Sequence, residues 1–405
     1  MNPLRKSRAL AWTAAAGLTM AGLASATGTA SAASAASAAW YVAPHGAAAA
    51  PCGASRATPC AKVMTAIGEA APGDTISIAA GTYTLKTAAD LLAVTENLTV
   101  TGAGPDATVL KGTGSGSVLT VAPGVTATVS GLKITGGTGT AAPIEGAAAV
   151  AGGGVYNQGT LTLDDVSVSG NQVSATASGD SDVFAIGGGV FNADGGTLTV
   201  TRSTVRANSV SASTADGGAA AVGGGISSDA TFENPVSDTS VTRTSVTRNT
   251  ATATSTAGGS AATEGGGIGS IYSAGRTALA SDTISGNTST SSASSASADG
   301  GASADGGGAG EADSTSMDAV TGTTITRNKA TATTAGAGPA AVDSGGLGEA
   351  TSQDGHAVYG GVARGNSARA TASGGGEATG EGGGLGILIS VATDALTGAT
   401  VSGNS

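Results

Sequence analysis

Seven asparagines, Asn171, Asn208, Asn249, Asn287, Asn328, Asn366 and Asn404, close seven copies of one pattern, with successive gaps of 37, 41, 38, 41, 38 and 38 residues. Each copy runs from a glycine cluster through a lone aliphatic residue and a Thr-rich alternating stretch to its Asn. The first reads Gly152-Gly153-Gly154-Val155-Tyr156-Asn157, then Thr160-Leu161-Thr162-Leu163, then Val166-Ser167-Val168-Ser169-Gly170-Asn171. A fixed period carrying two-residue alternation builds a stacked β-solenoid, in which each repeat is stable only against its neighbours. Composition points the same way. Aromatic residues are 2% of the chain, too few for a conventional globular core, whereas a solenoid coil buries only a few small side chains.

Stacked coils lie about 4.8 Å apart, so equivalent positions form columns. Val168, Val205, Val246, Ile284, Ile325 and Val401 stand three residues before the Asn, and Ala363 breaks the rule in the sixth repeat. Val155, Val190, Ile226, Ile268, Ala309, Leu347 and Leu385 follow the glycines as a second inward column. The seven Asn are the polar counterpart: at a corner, Asn tolerates left-handed backbone and can donate its amide to the next coil. Asn287-Thr288-Ser289 is also a glycosylation sequon, but a periodic corner Asn is read as structural. The glycine runs lack a following helix or P-loop Lys, which excludes a phosphate cradle. They are read as corners or close coil contacts.

Residues 1–39 form an export signal. Arg5, Lys6 and Arg8 precede an Ala-rich apolar stretch and several Ala-Ser-Ala triplets. The stretch is too weakly apolar for a membrane anchor. Without it, 14 basic residues face 28 acidic ones, a balance unsuited to nucleic acid or anionic lipid. Cys52 and Cys60 in an exported chain are expected to form a disulfide pinning the N-terminal cap. Residues 40–90 are that cap and the first coil, with a short helix over Lys62–Ala71 and a strand at Thr75–Ile78. Further strands are expected at Leu98–Thr101, Val118–Val121 and Thr126–Ile134, within leading coils at 91–147. The seven repeats fill 148–405.

Pro72-Gly73-Asp74-Thr75-Ile76, Ala80-Gly81-Thr82-Tyr83 and Leu98-Thr99-Val100-Thr101-Gly102 resemble the N-terminal coils of right-handed parallel β-helix proteins of the pectin-lyase-like superfamily. The Gly-Gly-Gly-Val-Tyr-Asn and Ser-Gly-Asn motifs resemble the repeats of bacterial polymorphic outer-membrane-protein-like β-helix proteins, and the low-Lys, paired-Cys style resembles secreted actinobacterial members. The resemblance implies an all-β, right-handed parallel β-helix. About ten coils would make a rod about 50 Å long.

Between each Asn and the next glycine run lies an insert of 14 to 18 residues. An out-and-back β-hairpin is the preferred reading, with two tight coils per period as the alternative. The chain ends in mid-pattern at Val401-Ser402-Gly403-Asn404-Ser405, so self-association through an uncapped coil, a covering partner or a longer parent protein is expected.

No catalytic, cofactor or metal site is assigned. A polysaccharide lyase or glycoside hydrolase of this fold, the alternative function, needs clustered carboxylates or a base beside calcium. Asp164-Asp165 is the one acidic doublet in an expected strand, and Arg202 and Ser203 match it in the next repeat. Arg206, Arg248, Arg327 and Arg364 recur near the corner Asn as a solvated column. His45 and His356 belong to no hydrolase motif. A calcium roll fails because Ala312 stands where Asp is needed in Gly307-Gly308-Ala309-Gly310-Glu311-Ala312; Asp299, Asp305, Glu311 and Asp313 offer only an adventitious site. Ice binding needs regular Thr ranks, and no Thr-x-Thr rank recurs in register along the sequence. The leading expectation is a non-catalytic structural, adhesive or glycan-binding protein, secreted or at the cell surface, with an extracellular polysaccharide or surface protein as partner.

Overall fold

The computed structural model describes residues 37–142, 147–193, 195–229, 236–271, 275–295, 300–312, 319–349, 357–387 and 395–405. Residues 1–36 of the expected export signal, His356, Asp299 and Asp313 lie outside them. Strands pair in parallel, coil upon coil, throughout four sheets. A front sheet contains 19 of the described strands, a corner sheet nine, and two further sheets eight and six. One antiparallel pair, Thr140–Ala141 with Ala147–Ala151, departs from the parallel rule.

One coil shows the path. Val155–Asn157 lies in the corner sheet and Thr160–Ser169 in the front sheet. After the Gly170-Asn171 corner, Gln172–Thr176 leaves the body and Asp182–Ile186 returns to it. The alternation seen in the sequence becomes burial: Leu161, Leu163, Val166 and Val168 are at most 1% exposed, and the intervening residues face outward. The nine corner-sheet rungs, from Leu92–Val94 to Leu385–Ile387, enclose eight full turns. The count of about ten is therefore corrected to eight, because the residues up to 90 are spent partly on the cap, and the stack is about 40 Å long.

Each period is one turn, and the insert is not a hydrogen-bonded hairpin. Its outgoing arm pairs in parallel with the outgoing arm of the next coil: Gln172–Thr176 with Ser209–Thr214, and that strand with Thr250–Ser255. The returning arms pair likewise, Asp182–Ile186 with Ala219–Val222. The inserts are thus β-arches, stacked into a two-layered fin beside the main column. Between its layers lies a separate core of small residues, with Ala175, Ala185, Ala212, Ala221, Ala251 and Ala253 buried. Only small side chains suit two sheets that meet a few residues from their shared turns, which explains the Ala-rich inserts.

At the N-terminal end, Val63–Glu69 is the helix, with Val63 and Ala66 buried against the first coil. Cys52 and Cys60 are joined by a disulfide beneath it. Asp74 fixes the cap to the coil by accepting from the backbone N–H of Ala71 and Ala38 and from the Trp40 indole. The Ala71 N–H and the Trp40 indole together hold its carboxyl below the usual carboxylate range.

Besides the first glycine of the runs, left-handed at Gly152, Gly187, Gly223, Gly265 and Gly306, each coil turns through two further left-handed residues. One column is Gly170, Ala207, Arg248, Gly286, Arg327, Gly365 and Gly403, with φ from 53° to 66°. The other is Asp165, Arg202, Arg243, Ser281, Gly322, Gly360 and Gly398. The left-handed backbone expected at the corner Asn thus falls one residue earlier. Ala207 has neither a glycine's freedom nor a polar side chain to offset the strain. Ala207→Gly is expected to stabilise the coil by about 1 kcal/mol, read as a rise in the urea midpoint; an unchanged or lower midpoint contradicts the strain assignment.

Candidate functional site

The interior of the corner is a continuous amide ladder. The backbone N–H of Asn171 donates to Asn208 Oδ1 at 3.0 Å, and the Asn171 Nδ2 donates to the same oxygen at 3.0 Å. This double contact repeats from Asn208 to Asn249, Asn249 to Asn287, Asn287 to Asn328, Asn328 to Asn366 and Asn366 to Asn404. The second amide hydrogen of Asn249 goes to the Val205 carbonyl at 3.0 Å, and that of Asn287 to Val246 at 2.9 Å. Asn287 is fully buried with both amide hydrogens engaged, so its sequon presents no acceptor for a glycan in the folded chain.

The glycine runs belong to this ladder. A Cβ on Gly225 would stand 2.6 Å from the Gly267 carbonyl oxygen and 2.9 Å from Asn249 Nδ2. The last glycine of each run leaves the space that the corner amide fills. Glycine and Asn, from 17 residues apart at Gly154 and Asn171 to 24 at Gly225 and Asn249, are halves of one contact. A second, shorter ladder links Asn157 Nδ2 to Asn192 Oδ1 at 2.7 Å, and beside it Tyr156 and Phe191 meet edge to face at 5.2 Å. The sequence signal for both was the parallel Val-Tyr-Asn and Val-Phe-Asn triplets.

A third interior column holds Ser203, Thr244, Asp282 and Thr323 in successive coils. The Val166 N–H donates to Ser203 Oγ, that of Ser203 to Thr244 Oγ1, and that of Thr244 to Asp282 Oδ1 at 2.7 Å. Asp282 also accepts from the Ala280 N–H at 2.8 Å and is 2% exposed. Burial pushes its carboxyl up to about 7, against the pull of the Thr244 and Ala280 N–H groups toward the charged form. The carboxyl is buried, and its neighbours show that the position serves to cap backbone N–H groups.

The exterior is organised just as regularly. On the front sheet, Thr75, Thr99, Thr128, Thr162, Thr199 and Ser240 occupy one column, with Ser77, Thr101, Ser130, Asp164, Thr201 and Thr242 two residues on. On the outgoing arch sheet, three columns run in register. They begin Gln172, Ser209, Thr250, Thr288; Ser174, Ser211, Thr252, Thr290; and Thr176, Ser213, Thr254, Ser292. The columns continue through Lys329, Thr331 and Thr333 to Ser367, Arg369 and Thr371. All alternate with buried residues in the first four strands and face away from the small-residue core. Thr-x-Thr ranks therefore do recur in register, which corrects the reading from sequence. Variation in repeat length falls in the connections, so counting from the glycines misaligns the strands.

The remaining candidates disperse. Asp164 pairs in register with Thr201 rather than with Arg202, so the doublet matches Thr201 and Arg202. Arg202 reaches back to form an exposed ion pair with Asp164. Arg206, Arg248, Arg327 and Arg364 are exposed along the corner, and His45 is exposed in the cap. Asp305 instead joins a column of buried acids, paired with Glu264 and followed one coil on by Asp343. Glu311 lies in the corner sheet, in register with Ser270 and Glu349. Among the described residues no group of three His, Cys, Asp or Glu side chains is placed to hold a metal ion.

The parallel pairing of every repeat with the next decides the class. The chain is a parallel β-helix. No family model and no curated protein matches it. Among solved structures it is similar to pectate lyase Pel9A, at 13% identity over 83% of this chain and 77% of that one, with a TM-score of 0.39. It is also similar to pectin methylesterase PemA from Erwinia chrysanthemi, at 13% identity over 51% of this chain and 78% of that one, with a TM-score of 0.28. At these values the likeness assigns neither residues nor a reaction to this β-helix.

Proposed function

We propose that this β-helix is an exported, non-catalytic protein that acts at the cell exterior as an adhesive or structural rod, holding polysaccharide or another surface protein. The observation that carries this reading is the repetition of its outward faces: hydroxyls at one spacing along the coil axis offer many equal, shallow contacts. Such contacts are weak singly and strong in number, because each one engaged raises the effective concentration of the next. A hydrolase or lyase instead concentrates unlike polar residues in one cleft. A disulfide-pinned cap suits an oxidising compartment, and no helix among the described residues is long and apolar enough to cross a membrane.

The test is a panel of soluble and insoluble polysaccharides, with retention and product release scored together, with and without calcium. Retention without release is the expected result. Release of unsaturated or reducing ends contradicts the reading and returns attention to Asp164 and the corner arginines.

A further inference from the structure

We infer that the outgoing arch sheet is an ice-binding face. Over its second to fourth strands, the three outward columns contain only Ser and Thr, with Thr250, Thr252 and Thr254 forming one complete rank and Thr288 and Thr290 extending it into the next coil. Each such residue offers one hydroxyl able to donate and accept. The threonines add a methyl, so the surface alternates polar points with apolar gaps. The chain is acidic overall, with a formal charge of −11, yet this block carries no charge. That selects a neutral partner.

The spacing narrows the partner further. In-register parallel strands repeat at about 4.8 Å across the sheet, and same-face residues at about 6.6 Å along each strand. A rigid array with these two periods fits a partner that is itself a two-dimensional lattice, and an ice surface, a lattice of water oxygens that both donate and accept, is a partner of that kind. The block contains no aromatic face, amide or carboxylate to grip a sugar ring, so the polysaccharide of the proposed function is assigned to the front-sheet columns rather than to this face. The array is also fixed before binding, because each strand between the ends of the sheet is hydrogen-bonded on both edges, so little ordering entropy is lost on contact.

The experiment compares the folded full chain with Thr252→Lys/Thr290→Lys, which charges the centre of the face, and with Ala262→Lys, which charges the outward side of the returning arch sheet. Ice is grown slowly from each solution, and protein in the ice fraction is measured beside the inhibition of ice recrystallisation. Thermal melts establish that all three chains are folded. The expected result is enrichment of the wild type and Ala262→Lys in ice, with a loss of at least about tenfold in Thr252→Lys/Thr290→Lys because engagement is multivalent. Exclusion of the folded wild type from ice overturns the inference, as does undiminished uptake of the double variant. Retention on polysaccharide together with exclusion from ice removes the ice face and leaves the proposed rod function standing.

Discussion

Asn249→Ala is expected to split the rod's unfolding into two transitions and lower its stability by about 3–5 kcal/mol. Asn249 Oδ1 accepts from both the backbone N–H and the side-chain amide of Asn208. Its own amide donates to Asn287 and to the Val205 carbonyl. Alanine therefore strands the Asn208 donors and the Val205 carbonyl in a fully buried site, and each unsatisfied group costs about 1–3 kcal/mol. It also empties the space against Gly225, whose shape is matched to the amide. Since a solenoid is held together by nearest-neighbour interfaces, loss at the centre uncouples the two halves. Asn404→Ala, at the last rung, should cost much less. Urea unfolding followed by circular dichroism checks both, and equal, single, unshifted transitions would show that the ladder carries no coupling.

Asp282→Thr is expected to stabilise the protein at pH 8 and to have little effect at pH 4. The folded-state carboxyl titrates at about 7, above the value of about 3.9 for an unfolded Asp. Between those values the folded chain holds a proton that the unfolded chain has released. The contribution of Asp282 is thus fully present below about pH 4 and is lost as pH rises through about 7, an interval corresponding to roughly 4 kcal/mol. Threonine already fills this position in the coils on either side, as Thr244 and Thr323, and its hydroxyl can accept the Thr244 N–H as Thr323 accepts that of Asp282. The difference in urea midpoint between variant and wild type should therefore grow from pH 4 to pH 8. A constant difference would mean that Asp282 is ionised throughout.

The columns were legible in the sequence because their signal is local. Val168 to Ile325 and the closing Asn recur at fixed offsets within each repeat, and alternation places them on one side of a strand. What lay between repeats was less legible. The pairing of Gly225 with Asn249 joins residues that no periodicity links, and Asp282 differs from its hydroxyl neighbours without breaking the pattern. The arches were half visible: Thr250-Ala251-Thr252-Ala253-Thr254 alternates as a strand, but alternation is the same whether that strand bonds its own return arm or the next coil. The hydroxyl ranks of the arch sheet emerge only on counting from the closing Asn, because each outgoing arm starts at the next residue, from Gln172 and Ser209 to Ser367. Counting from the glycines, across connections of variable length, conceals them.

The account rests on one turn per period with the arches stacked in register, and a single distance tests it. Ser174 and Arg369 occupy the same arch-sheet column in its first and sixth strands. With cysteines and spin labels at these two positions, electron–electron dipolar spectroscopy should return a narrow backbone separation of about 24 Å, five strand spacings. A separation near 48 Å, as two coils per period would give, or a broad distribution from unstacked inserts, would contradict it.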